Sequence, residues 1–371
     1  MSLIKIAAAG VLGLPCLLVA AAVAPLIALL SIPPLLLLVF SKHHNDDDAV
    51  PSTTTAPSHV IVVGGSSGIG LSIAKECAAQ GVAKISILAR NQKRLDEAKV
   101  AIEGIRINKS TTTTVQALSV SVSDYAAVEK VARQILGDDK NRQRNERVVL
   151  FNCAGISYTA EFENIPVDVY RKLIDTNQLG AMYVARAFLP HMHHGCIVFC
   201  SSAAGQVGVY GYTVYAATKC ALRGFAQTLH IELIRSKPGV SVQIAFPVDT
   251  DTPGYKAEQE MMPEITKILN ENAGLEKPED TAKIMVKSAF AKHPKFQVYF
   301  TFEGWMLSNL TAGMAPVSGI GDAISQVALS GLFRFISLFY LNDFWRIIRN
   351  HPADTSKKGD ENDSAKSTKS D

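Results

Sequence analysis

The sequence predicts an α/β fold, a doubly wound parallel sheet with helices on both faces. Three observations predict it. Short runs of β-branched and apolar residues alternate with helix-length segments from His59 to about Pro253. A glycine-rich turn, Gly64-Gly65-Ser66-Ser67-Gly68-Ile69-Gly70, stands between the first run and the first helix. The polar residues equipped for chemistry fall at the carboxyl end of a run or on the helix after it, where open α/β sheets bind their ligands.

Composition narrows the class. A chain of 371 residues allows one large domain or two small ones. A net charge of +3 gives no reason to expect nucleic acid as a partner. A hydrophobic share of 47% with a mean hydropathy of +0.14 places part of the chain in lipid. Cys16, Cys77, Cys153, Cys196, Cys200 and Cys220 show no metal-type spacing, so no metal is expected and the thiols read as free, in a reducing compartment.

Residues 6–40 are almost wholly apolar, more than the ~20 residues a single span requires. Pro15, Pro25, Pro33 and Pro34 interrupt them, so the expected membrane anchor over 1–41 is one tilted span with an interfacial extension, or two short passes broken near Ser31. A cleaved signal peptide is the competing expectation. Lys5 favours a cytosolic N-terminus. A single span then sends the main domain to the lumen, and a hairpin keeps it in the cytosol. Residues 42–58 read as a polar linker, and 59–300 as the nucleotide-binding catalytic domain.

Within that domain the first strand is 59–63, and the glycine turn opens a helix through Gln80. Glycine at 64, 68 and 70 lets backbone approach a pyrophosphate at the helix N-terminus, with Ser66, Ser67 and Ile69 between them. The spacing differs from GxGxxG. A strand over 84–89 ends in Arg90, with Arg94 beyond it. Arginine rather than an acid here suits a ribose 2′-phosphate, hence NADPH; a solvated basic turn is the plainer alternative.

The third strand is expected over 114–122, with a helix through Leu136 and a charged surface loop over 137–147. A strand over 148–151 runs into Asn152, Cys153, Ala154 and Gly155, small enough to admit a cofactor ring. Asn177 interrupts the helix predicted over 167–189, either kinking it and exposing a carbonyl or sitting as a satisfied amide. The fifth strand is predicted over 195–202, the next helix to about Arg235, and the sixth strand over 240–246, ending at Pro247.

That helix carries Tyr215 and Lys219, four residues apart and so on one face. A phenol titrating near ~10 is a poor acid or base at neutral pH. A fixed ammonium beside it favours the phenolate and moves it toward the working range. Ser202, at a neighbouring strand end, is placed to hold a carbonyl oxygen. With a hydride carrier alongside, the three groups suit carbonyl reduction.

These residues resemble the short-chain dehydrogenase/reductase family over residues 58–253. The resemblance implies a Rossmann-type fold, a cofactor loop at Gly64, Gly68 and Gly70, and a catalytic tetrad of Asn177, Ser202, Tyr215 and Lys219. Asn152 to Gly155 is similar to the family's Asn-Asn-Ala-Gly, and Pro247 with Thr252 to its Pro-Gly-x-x-x-Thr, which touches the nicotinamide amide. Its terms imply that Tyr215 gives a proton and Ser202 holds the oxygen. They imply too that Lys219 lowers the Tyr215 pKa and binds the ribose, while Asn177 positions Lys219 and a water chain. Val63, Ser121 and Val248 depart from the usual Thr, Asp and Gly.

A narrower resemblance covers 245–254, 313–317 and 331–334 and runs to about Asn350. It is to a branch of the family that reduces long-chain keto-sphingoid bases with NADPH, and it implies the cytosolic face of the endoplasmic reticulum. Glu258, Glu260, Glu264 and Glu271 follow Thr252; they either attract the sphingoid ammonium or form a solvated helix face. Residues 301–350 are expected at the membrane, at the substrate end, or as a homo-oligomer surface, and 351–371 as a disordered tail. The rival activities are a membrane-anchored steroid or retinoid dehydrogenase and a non-catalytic membrane scaffold.

Overall fold

A strand covered on both faces must be apolar at every position, and β1 (His59–Val63) is buried along its whole length. The computed structural model describes residues 57–105, 113–137, 146–271 and 274–352. The predicted anchor (1–41), almost all of the linker and nearly all of the predicted tail lie outside them.

Seven parallel strands form one sheet in the order β3-β2-β1-β4-β5-β6-β7. After β1 come β2 (Lys84–Ala89), β3 (Thr114–Ser119) and β4 (Arg147–Asn152). Next are β5 (His194–Cys200), β6 (Val240–Ala245) and β7 (Gln297–Val298). β1 pairs with β2 on one side and β4 on the other, so the chain reverses its direction of winding at their carboxyl ends. Ligands enter such sheets at that crevice.

The helices flanking the sheet are α1 (Gly68–Ala79), α2 (Gln92–Glu103) and α3 (Tyr125–Leu136), then α4 (Val167–Leu173) and α5 (Gly180–Phe188). α6 (Thr213–Ser236) and α9 (Pro278–Phe290) complete the two layers. Strand alternation divides the core. Ile61, Leu150 and Phe199 pack with Val128, Phe188 and Leu222 on one face, while Val62, Phe151 and Val198 pack with Ile73, Leu95 and Met285 on the other.

Several boundaries differ from expectation. β3 stops at Ser119, because after Val120 donates to the Ala89 carbonyl the Ser121 and Ser123 hydroxyls bond each other in a turn. Arg147, expected in a loop, begins β4. Its guanidinium donates to the carbonyls of Ala289, Phe290 and Ala291 at 3.0–3.2 Å and so closes the open end of α9. β5 ends at Cys200, since Ser202 caps a short turn, accepting from the Ala204 N–H at 3.2 Å. β7 had no counterpart in the sequence reading.

The helix predicted over 167–189 is a straight path in neither geometry nor hydrogen bonding. Between α4 and α5 the chain takes a π-helical turn, Ile174–Leu179, that contains Asn177. Beyond β6 come α7 (Pro253–Met261), α8 (Glu264–Glu271), α10 (Phe302–Leu310), α11 (Ile320–Ala328) and α12 (Ser330–Asn350). Phe333 of α12 anchors this group, its ring 5.1 Å from Trp305. Among the described residues no single helix is long and apolar enough to cross a membrane; α11 and α12 together are, by length and composition alone, but they bend by 56°.

Candidate active site

A cavity of about 1560 Å³ opens at the carboxyl ends of the strands. Ordinary ligand pockets measure about 300–1,000 Å³, so this one has room for two ligands side by side. One arm runs from the glycine turn to Arg90 and Arg94; the other runs under α7, α10 and α12.

The first arm is shaped by backbone. Gly64 has φ +82°, and a Cβ there would stand 2.8 Å from the Ala154 nitrogen. A Cβ on Gly70 would stand 2.3 Å from the Gly64 carbonyl oxygen. Only glycine lets the turn fold this closely over the start of α1. Where the family's usual threonine hydroxyl is missing at Val63, backbone serves: the N–H groups of Gly64 and Gly65 donate to the Leu88 carbonyl at 2.7 and 3.2 Å. Ser66, Ser67, Gly68, Ile69, Ala154, Gly155, Pro247 and Thr252 all line the cavity. Thr252 also caps α7 by accepting from the Tyr255 N–H at 3.1 Å.

Where the arms meet stand Ser202, Tyr215 and Lys219. The Ser202 hydroxyl stands close enough to the Tyr215 phenol to favour its phenolate. Lys219 is buried, donates to the Cys200 carbonyl at 3.0 Å, and lies 5.6 Å from the centre of the Tyr215 ring. Of the two adjacent serines, Ser201 is tied to the Lys219 carbonyl at 2.9 Å, leaving Ser202 for the phenol. Asn177 is buried within the π-helical turn. Its amide exchanges two 2.8 Å hydrogen bonds with the Ile156 backbone and gives a third to the Thr218 hydroxyl at 3.1 Å. The satisfied amide is therefore the alternative that holds, within a turn of π-helical hydrogen bonding.

Comparison with known proteins agrees with this arrangement. The family model for short chain dehydrogenase matches residues 58–263. The chain belongs to the short-chain dehydrogenase family. A 3-dehydrosphinganine reductase from Danio rerio is 42% identical over 291 residues, covering 77% of this chain and 84% of that protein. A 3-ketodihydrosphingosine reductase from Bos taurus is 43% identical over the same length and shares. A solved structure titled a short chain dehydrogenase/reductase family protein superposes with a TM-score of 0.51 at 28% identity, covering 62% of this chain and 88% of that one. This short-chain dehydrogenase is accordingly an oxidoreductase of ketones and secondary alcohols in a family that works with a nicotinamide cofactor.

Two expectations require correction. Asn152 does not line the cavity: it is buried and donates to the Ala181 carbonyl at 3.1 Å, fastening α5 to the sheet. Side chains alternate along β4, so Asn152 turns to the opposite face from Cys153. Tyr215 is not lowered toward neutrality by Lys219. Its pKa stands above the ordinary 10, first because burial strips water from the phenolate, then because the Glu258 carboxylate repels it; the Ser202 hydroxyl offsets part of this. The Lys219 ammonium donates to the Cys200 carbonyl and stands 5.6 Å from the ring centre. In this dehydrogenase the phenol therefore holds its proton at neutral pH.

Of the acids that follow Thr252, one turns inward toward that phenol. Glu258 is 8% exposed and faces the cavity from α7. Its carboxylate accepts from the Ser157 and Tyr212 hydroxyls. Glu260 and Glu264, expected beside it, are exposed at the surface, while Glu271, also exposed, lines the cavity. Asp249 accepts from the Tyr255 hydroxyl at 3.1 Å. Burial, with the Glu258 charge behind it, raises Asp249 from 3.8 to about 6.

That shift has a sign. An acid raised in the folded state keeps protons that the unfolded chain releases, so stability falls as pH climbs from about 4 to about 6. Asp249→Asn is expected to be more stable than the parent at pH 7 by about 1–3 kcal/mol, and no more stable below pH 4. Urea denaturation midpoints at the two pH values check it.

Proposed function

We propose that this dehydrogenase reduces 3-ketosphinganine to sphinganine with NADPH at a membrane surface. The observation that carries the proposal is the continuity of the cavity: the glycine cradle, the Ser202–Tyr215 pair and an apolar chamber form one space. Met306, Leu307, Leu310, Leu341 and Phe344 line the far arm, a surface suited to a long alkyl chain. Its relatives named for reduction of sphingoid ketones support the same substrate.

Arg90 and Arg94 reach the near arm from either side of Asn91, which caps α2. Their guanidinium groups suit a ribose 2′-phosphate and favour NADPH over NADH. When held in this arm, NADPH would supply the hydride for the keto carbon. Tyr215, protonated at rest, gives its proton to the oxygen as negative charge develops there. Ser202, beside the phenol in the same cavity, faces the same oxygen and stabilises that charge. Lys219 keeps its ammonium at the seam between the cofactor and substrate arms. Asn177 Oδ1 and Lys219 Nζ converge on Gly155, each 3.4 Å from where a Cβ there would stand, and the Asn177 amide fixes the adjoining turn through Thr218 and Ile156. A protonated acid at rest suits reduction better than oxidation.

The membrane placement has separate support. Leu332, Phe335, Leu338 and Trp345 are 43–52% exposed along α12, next to the face that closes the cavity through Arg334, Ser337, Leu341 and Phe344. An apolar stripe bordering a lipid-sized chamber suits entry of substrate from the bilayer. Cys77, Cys153, Cys196, Cys200 and Cys220 are free thiols, in keeping with the cytosolic side of the endoplasmic reticulum.

The test uses the full chain with phospholipid vesicles. The protein should float with the vesicles and oxidise NADPH on 3-ketosphinganine, with at least about 10-fold lower kcat/KM for NADH. Faster turnover of keto-steroids or retinal would replace the sphingoid reading. No turnover of any carbonyl would leave a scaffold.

A further inference from the structure

In a 3-keto sphingoid base the amino group sits on the carbon beside the ketone. Once the ketone oxygen is at Tyr215, the ammonium must lie within a few ångströms of it. A cation brought into a closed cavity is costly unless it meets an opposite charge there. This inference rests on the substrate proposed above.

Glu258 is more than nine-tenths buried, yet no basic side chain forms an ion pair with it among the described residues. The Ser157 and Tyr212 hydroxyls hold the carboxylate in place at the cavity wall, and the Thr159 hydroxyl bonds its backbone carbonyl at 3.5 Å. Tyr212 stacks at a tilt against the reacting tyrosine, with ring centres 5.6 Å apart. Asn270 donates to the Tyr212 hydroxyl at 3.4 Å and steadies it. The nearby cation, Lys219, is turned to the Cys200 carbonyl. Asp249, which also lines the cavity, is tied to the Tyr255 hydroxyl.

We propose that Glu258 binds the ammonium group of the substrate and thereby selects amino ketones over neutral ketones of the same length. The carboxylate is fixed before substrate arrives, so no side chain has to be ordered on binding. A purely structural Glu258, pinning α7 over the site, would affect every ketone alike.

The experiment compares kcat/KM for 3-ketosphinganine, its N-acetyl derivative and the ketone lacking the amine, using the full chain in detergent micelles. The parent should favour the amino ketone over either neutral ketone by about 10- to 100-fold. In Glu258→Gln that ratio should collapse toward one, chiefly through KM, and Glu258→Asp should restore part of it. NADPH binding, followed by energy transfer from protein to nicotinamide, identifies folded protein. If Glu258→Gln does not fold, the ratio in Glu258→Asp and in the parent decides. A ratio preserved in the variants, equal loss on all three ketones, or a parent indifferent to the amine would overturn the inference. A parent that reduces none of the three overturns the substrate reading instead, and is recognised in the parent alone.

Discussion

Replacing Tyr215 by phenylalanine is expected to lower turnover by about 100- to 10,000-fold, the usual range for a positioned proton donor, while NADPH binds nearly as before. The substitution removes one oxygen. The ring keeps its packing against Tyr212 and the neighbouring small apolar cluster, and the cradle at Gly64 and Gly70 is built from backbone that does not involve Tyr215. What is lost is the proton that meets the developing alkoxide. Ser202 cannot supply it, since its hydroxyl accepts from the Ala204 N–H and no acid or base is bonded to it among the described residues. Single-turnover absorbance of NADPH separates the two steps. Retained turnover would remove Tyr215 from the chemistry.

Gly70→Ala should be comparably damaging for a different reason. The added methyl would lie 2.3 Å from the Gly64 carbonyl oxygen and 2.9 Å from its carbon, both backbone atoms. Overpacking of this kind costs about 1–3 kcal/mol or more. Here the movement that relieves it also opens the turn meant to hold the pyrophosphate. The dissociation constant for NADPH should rise by about 100-fold, with a lower denaturation midpoint. Gly224→Ala is the control. Gly224 lies on α6 with nothing within 4 Å of the added methyl, so the helix should gain about 0.5–1 kcal/mol and NADPH affinity should hold.

The sheet was legible because its strands are covered on both sides and so announce themselves as unbroken apolar runs. β1 and β2 fall where the sequence places them. β7 was not legible. Two residues, one of them glutamine, carry no period, and their pairing depends on β6 already being in place. The reactive groups were legible from their types and spacing, but their electrostatics were not. Whether Lys219 or Glu258 governs the phenol depends on where each long side chain turns, which residue spacing cannot state. Which of the four acids after Thr252 turns inward was hidden for a related reason. α7 has polar residues all round, and its inward position is defined by the polar wall it covers rather than by an apolar stripe. Asn152 could have been placed by alternation along β4, had the side facing the cavity been fixed by a single neighbouring contact.

The π-helical turn at Ile174–Leu179 acts as a phase shift. Each residue of an α-helix advances the side chains by about 100°, and the wider turn inserts an offset between the helices it joins. Leu173 on α4 thus faces the small cluster with Ile165 and Val214, while Val184 and Phe188 on α5 face the main core. Both contacts would be out of phase in an uninterrupted helix. Length at this point is therefore as informative as residue identity. Shortening the turn by one residue would swing the whole of α5 about its axis, and the amide of Asn177 would leave Ile156 and Thr218 even with every side chain unchanged.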